Sequence, residues 1–256
     1  MKRVLRLLSS IGVGAATVDT RLERDELVPG EEVRGIVEVK GGDSEQEVNG
    51  IRLEVQTYYK RKSGDNTVTE TGTIEHFPVS GHRTIEANSR EEIPFSFRLP
   101  YDTPLTLGRS SVWIRTTLDV RMAFDPSDSD VVTVRPNPAM RSVLDSMQRL
   151  GFRMREAENE ELPHRLRRRL PFGQELEFVA DSGEFRGRFD EVELLMFLSE
   201  DSLDLILQID RRARGLSSFL SETIGTDESY AHLTVPEGAT PSEIRGALAQ
   251  TIRQHA

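Results

Sequence analysis

The sequence predicts an all-β protein: two β-sandwich domains joined by one helix and closed by another at the carboxyl end. Three observations carry that expectation. Apolar and polar residues alternate at period two through most of the chain, which gives each strand one dry and one wet face. Such alternation belongs to antiparallel sheets solvated on one side, hence a sandwich. The period becomes helical only at 138–150 and 241–254. The stretch "IPFSFRLP", 93–100, shows the first feature and its stop signal together. Ile93, Phe95, Phe97 and Leu99 share a face, and Pro100 cannot continue a ladder.

The elements follow in order. Val4, Leu5, Leu7, Leu8 and Ile11 form one side of a short amphipathic helix leading into the first strand. Lys2 and Arg3 before an apolar run resemble a signal peptide, but Arg6 interrupts the run and Gly12 and Gly14 dilute it. "VPGEE", 28–32, is a turn in which Pro29 presets φ and Gly30 accepts a positive φ. Strands are expected on either side, the second with Val33, Val37 and Val39 on one face. "IRLEVQTYY" alternates Ile51, Leu53, Val55 and Tyr59 against Arg52, Glu54 and Gln56. Over 110–124 the pattern repeats, with Val112, Ile114, Leu118, Val120, Met122 and Phe124 sharing the dry face.

The connecting helix, 137–151, has Asn137 as N-cap, Pro138 at its first position and Gly151 as its stop. Met140, Val143, Leu144, Met147 and Leu150 make its apolar stripe, read as core packing. Strands resume at "ELEFVA", "EFRGRFDEVELLMFL" and "SLDLILQID". In the closing helix Thr240 and Glu243 are spaced as a capping box, with Ile244, Leu248 and Ile252 on the apolar stripe. The expected domains are therefore 1–136, the helix 137–151, 152–236, and the C-terminal helix 237–256.

Composition narrows the function. The chain has 256 residues, 36% of them hydrophobic and 30% charged, which suits a soluble folded protein. With no cysteine, disulfides, thiolate zinc sites and cysteine nucleophiles are excluded, in keeping with a cytoplasmic address. A formal charge of -10 argues against a general nucleic-acid binder. There is no G-x-S-x-G elbow, P-loop, G-x-G-x-x-G or H-E-x-x-H, so neither an enzyme nor a cofactor is expected. Among the histidines, His76 and His82 fall within reach of one hairpin but lack a third ligand and read as surface loop residues.

"LVPGEEVRGIVEV", "IPFSFRLP" and "VWIRTTLDVRM", in that order, resemble the amino-terminal sandwich of the arrestin fold. "NPAMRSVLDSMQRLGFRMREAENEE", "LPFGQELEF", "GRFDEVELLMF" and "LQIDRRARGL" resemble the bacterial and archaeal sporulation-control proteins related to arrestins. The resemblance covers roughly residues 1–220; residues 221–256 match no part of that pattern. It implies two arrestin-like sandwiches in a cytoplasmic, non-enzymatic regulator or scaffold of developmental or cell-cycle control, working by protein–protein interaction. Open sheet edges would offer strand addition to an extended partner segment.

Three clusters are candidate sites. Arg165, Arg167, Arg168 and Arg169 stand together in an otherwise acidic chain, suited to an acidic partner or anionic lipid, or else a solvated loop balanced by "EAENEE" at 156–161. The competing function is accordingly a peripheral membrane adaptor docked by that cluster and the amino-terminal helix. By similarity to arrestins, Asp210 with Arg211 or Arg212 would form a charged contact between the domains; from the residues alone the same segment reads as a surface turn. Asp125, Asp128 and Asp130 lie in an expected loop, where carboxylates gather Ca2+ or simply make turns. A protein partner is expected, and the sequence is also compatible with a homodimer.

Overall fold

The computed structural model describes residues 14–121, 124–189, 191–210 and 230–255. Its elements are β1 (Thr17–Leu22), β2 (Glu26–Leu27), β3 (Glu32–Lys40), β4 (Gln46–Ser63), β5 (Asn66–Ser80), β6 (Arg83–Ile85), β7 (Arg90–Arg98), β8 (Val112–Val120) and β9 (Ser127–Val134). They continue with α1 (Pro138–Arg149), β10 (Phe152–Glu161), β11 (Phe172–Ala180), β12 (Glu191–Leu198), β13 (Ser202–Asp210), β14 (Tyr230–Pro236) and α2 (Pro241–Gln254). The protein is mostly β, as its alternation requires. The expected amino-terminal helix lies outside the described residues.

The chain forms two compact units that are discontinuous in sequence. The first holds residues 1–57, 71–103 and 111–135; the second holds 58–70, 104–110 and 136–256. In the first unit, β1, β3 and β7 make one antiparallel sheet. Residues 48–57 of β4 pair with β8, then β9 and β2 follow, with β5 and β6 also on β4. Val33, Val37 and Val39 of one sheet and Ile51, Leu53, Val55, Ile114 and Leu118 of the other are all buried. Gly30 has φ +86°, as the type II turn demands.

The alternation over 110–124 does not run to its expected end. β8 stops at Val120, and Phe124 is 99% exposed rather than on the dry face. The reason is visible at the strand's end: the Asp125 carboxylate accepts a hydrogen bond from Val120 N at 2.9 Å, turning the chain back toward β9. Met122 lies outside the described residues.

In the second unit the order is β14-β13-β12-β11-β10, with Lys60 of β4 pairing parallel to Glu160 of β10. α1 packs on α2 and β10, and α2 packs on β14, so the helix at 138–149 belongs to this unit. Asn137 Oδ1 accepts from Met140 N at 2.8 Å, and Met140, Val143 and Met147 are buried core. The capping box of α2 forms as expected. β12 and β13 are apolar along one face through Val192, Leu194, Leu205 and Leu207, while the other face mixes Leu195 and Ile206 with Glu193 and Gln208. Leu233 and Val235 look toward Ile244 and Ala247 of α2, while Leu195 and Ile206 look the other way, into a cluster with Leu162 and Leu166. The expected strand beginning at 184 is replaced by a 3-10 turn at Gly183–Phe185, which buries Phe185 against Phe152 and Phe189.

Candidate interaction surface

Residues 162–171 run as a strap between β10 and β11, shaped by Pro163, a 3-10 turn at His164–Leu166, and Pro171. Leu162, Leu166 and Leu170 are buried. With its leucines held against the sheet, the strap displays the four arginines between and beside them. Arg165 donates to Tyr230 Oη at 2.6 Å, and its guanidinium lies 4.8 Å from that ring's centroid. Arg168 donates to Asp204 Oδ2 at 2.9 Å and lies 4.4 Å over Phe197. Arg167 donates to the Leu162 carbonyl and to Glu161 Oε1, each at 2.8 Å.

The cluster is therefore no loose loop. Aromatic faces and carboxylates hold the guanidinium planes in place, an arrangement Lys would not reproduce. The Arg168 hydrogen bond, then that from the Thr234 hydroxyl, holds the Asp204 carboxyl below its usual range. Of the acidic run expected to balance the cluster, Glu161 pairs with Arg167. Arg168→Ala is expected to lower stability by about 1 kcal/mol, as an exposed ion pair and one cation–π contact together suggest. A fall in the denaturant midpoint at unchanged slope would measure it.

Two other glutamates of that run serve a different purpose. Glu158 on β10 is only 8% exposed. Lys60 of β4 pairs with it, and Arg109 Nη1 lies 3.0 Å from Glu158 Oε1 and 3.2 Å from Glu156. Gln174 completes the arrangement, accepting from Leu105 N at 3.0 Å and donating to the Leu105 carbonyl at 2.7 Å. Segments 58–70 and 104–110 are thus fastened to β10 and β11 by polar contacts. Burial would by itself raise the Glu158 carboxyl; Lys60 and Arg109 more than reverse this and hold it below the usual range.

The remaining sequence candidates fall as follows. Asp128 and Asp130 lie on β9, not in a loop, and Asp128 Oδ2 accepts from Thr20 N at 2.8 Å. Asp125 is also bound to backbone, so the Asp125 carboxylate terminates a strand and that of Asp128 joins two. His76 is on strand β5, not in a loop, with Nδ1 3.1 Å from Glu54. Asp210 ends β13, and Arg211 and Arg212 lie outside the described residues. Sequence reading missed β14, although Ala231, Leu233 and Val235 alternate with His232 and Thr234 ahead of Pro236. It missed Glu158 too, for which one chain of letters holds no signal.

The model of the SpoOM protein family, Spo0M, matches residues 4–213. The sporulation-control protein Spo0M of Bacillus subtilis (strain 168) is 40% identical over 253 residues, 98% of each chain. The chain belongs to the Spo0M family. The crystal structure of Spo0M from Bacillus subtilis aligns with TM-score 0.89 and 40% identity, covering 95% of this chain and 100% of that one. The arrestin-like, mostly β fold expected from the sequence is the Spo0M fold. Matching over 98% of the chain also takes the Spo0M likeness past residue 220, where the sequence resemblance ran out. Among the described residues of this family member, no helix is long and apolar enough to cross a membrane.

Proposed function

We propose that this Spo0M-family chain is a non-enzymatic regulator in sporulation or a related developmental process, and that it works by binding an extended acidic segment of a partner protein. The family match supports the regulatory role, since the relative is a sporulation-control protein. The binding mode rests on one observation: the arginine strap borders an edge strand. β14 pairs with β13 on one side and with no strand among the described residues on the other. Its backbone is suited to strand addition, and Arg165, set on the Tyr230 ring, and Arg168 lie on the same side of the sheet to meet carboxylates.

Replacing Arg165 and Arg168 by Gln tests this. Partner capture from lysate should fall steeply in the double variant, with circular dichroism unchanged, and wild-type capture should weaken as salt rises. Equal capture by both proteins would sink the proposal. Flotation of the wild type, but not the variant, with anionic vesicles would favour the membrane-adaptor reading instead.

A further inference from the structure

The two faces of β14 offer an added strand two different environments. The register sets Tyr230, His232 and Thr234 opposite Gln208, Ile206 and Asp204 of β13, on the face that carries the strap. Leu233 and Val235 fall on the other face, where with Ile244 and Ala247 of α2 they line a groove of about 400 Å³. Glu237 and Glu243 also line it.

The strap side is cationic at one place along this edge. Arg165 lies over the ring of Tyr230, on β14 itself, and its hydrogen bond goes to a neutral hydroxyl. Among the described residues no carboxylate pairs with it. Arg168 lies over Phe197 of β12, further from the edge, and shares Asp204 with Thr234. Neighbouring strands stand about 4.8 Å apart, so a side chain on a strand added to β14 reaches Arg165 before Arg168.

We propose that β14 selects partner segments of the pattern apolar-x-apolar-x-x-acidic, an inference that rests on the strand addition proposed above. The strands from β10 to β14 pair antiparallel throughout, and an added strand continues that order. Its residue facing Val235 then comes first, the one facing Leu233 two residues later, and the one facing Tyr230 three residues after that. Cross-strand neighbours share a face, so the first two side chains enter the α2 groove. The last is an odd number of residues away and meets Arg165 on the strap face. Main-chain hydrogen bonds supply affinity, and the alternating side chains supply the choice of partner. A carboxylate on the groove face would be repelled by Glu237 and Glu243.

The experiment is fluorescence anisotropy of the full chain with a labelled synthetic peptide, S-L-T-V-T-T-E-S. Saturable binding is expected. Three changes to the peptide should each weaken it about tenfold or more: glutamate to glutamine, both apolar residues to serine, and glutamate moved one position earlier, onto the groove face. In the protein, Arg165→Gln should remove the preference for glutamate over glutamine, and more completely than Arg168→Gln. Ala247→Gln, which puts a polar side chain into the groove, should remove the preference for apolar residues over serine while circular dichroism stays unchanged. Absence of saturable binding overturns the motif. So does equal binding of the peptide with the shifted glutamate, since the register would then select nothing. Lysate capture that still depends on Arg165 and Arg168 would in either case leave the acidic-segment reading standing, whereas capture indifferent to both arginines removes that reading and this one together.

Discussion

Lys60→Met combined with Arg109→Met is expected to cost the second unit about 3 to 5 kcal/mol, because it strands the Glu158 carboxylate without a cation at 8% exposure. The acid, not the base, is the buried member: Lys60 and Arg109 are 35% and 73% exposed. Glu158→Gln alone should therefore cost less than the double cation removal. Adding Glu158→Leu to the double variant should restore much of the loss, since an apolar replacement of a whole buried ion cluster is often neutral or better. Hydrogen exchange of the β10 and β11 amides reads the unit directly. A triple variant no more stable than the double would contradict this account.

The pH dependence has a definite sign. Lys60 and Arg109 hold the Glu158 carboxyl below its unfolded value, so the folded state binds this proton less readily than the unfolded chain. The stabilisation is fully present above the unfolded carboxyl value of about 4.3 and is lost as pH falls below it through the folded value. Wild type should lose more stability than Glu158→Gln over that interval. Parallel acid titrations of the two would remove Glu158 as the cause.

Phe97→Ala is expected to cost the first unit about 3 to 5 kcal/mol, the range for removing a large aromatic from a packed core. Phe97 is 8% exposed and stacks on Phe77 with ring centroids 4.1 Å apart. Ser96, its exposed neighbour on the opposite face, should tolerate Ala with almost no effect. Trp113, the single tryptophan, lies in the first unit and reports its denaturant melt by fluorescence. Equal midpoints for the two variants would mean that the faces of β7 are assigned wrongly.

Much of the fold was legible because local rules and tertiary packing agree. Period two in β3, β7 and β8 predicts the buried faces of Val33, Phe97 and Ile114. Asn137 and Thr240 cap their helices as their spacing says. Gly151, at φ +92°, ends the turn after α1 where a glycine was expected. These features depend on neighbours a few residues away, so a single chain reveals them.

The acidic strands were not legible for the opposite reason. "FRMREAENEE" has poor strand propensity and reads as a solvated run. In the structure it is β10, with Glu158 and Asn159 buried. Its Glu156 and Glu158 are matched by Lys60 and Arg109, both far away in sequence. Glu38 repeats the device on β3, buried to 4% exposure by Arg21, Lys40 and Arg90. The arginine strap follows the same logic: its letters announce positive charge, while its rigidity comes from Tyr230, Phe197 and Asp204 on strands that follow later. The sequence by itself determined the all-β class, the helix ends and the dry faces, because propensity, capping and periodicity act over a few residues. Only the tertiary structure decided which charges are buried, since a carboxylate leaves water only where distant cations and hydrogen-bond donors converge to replace it.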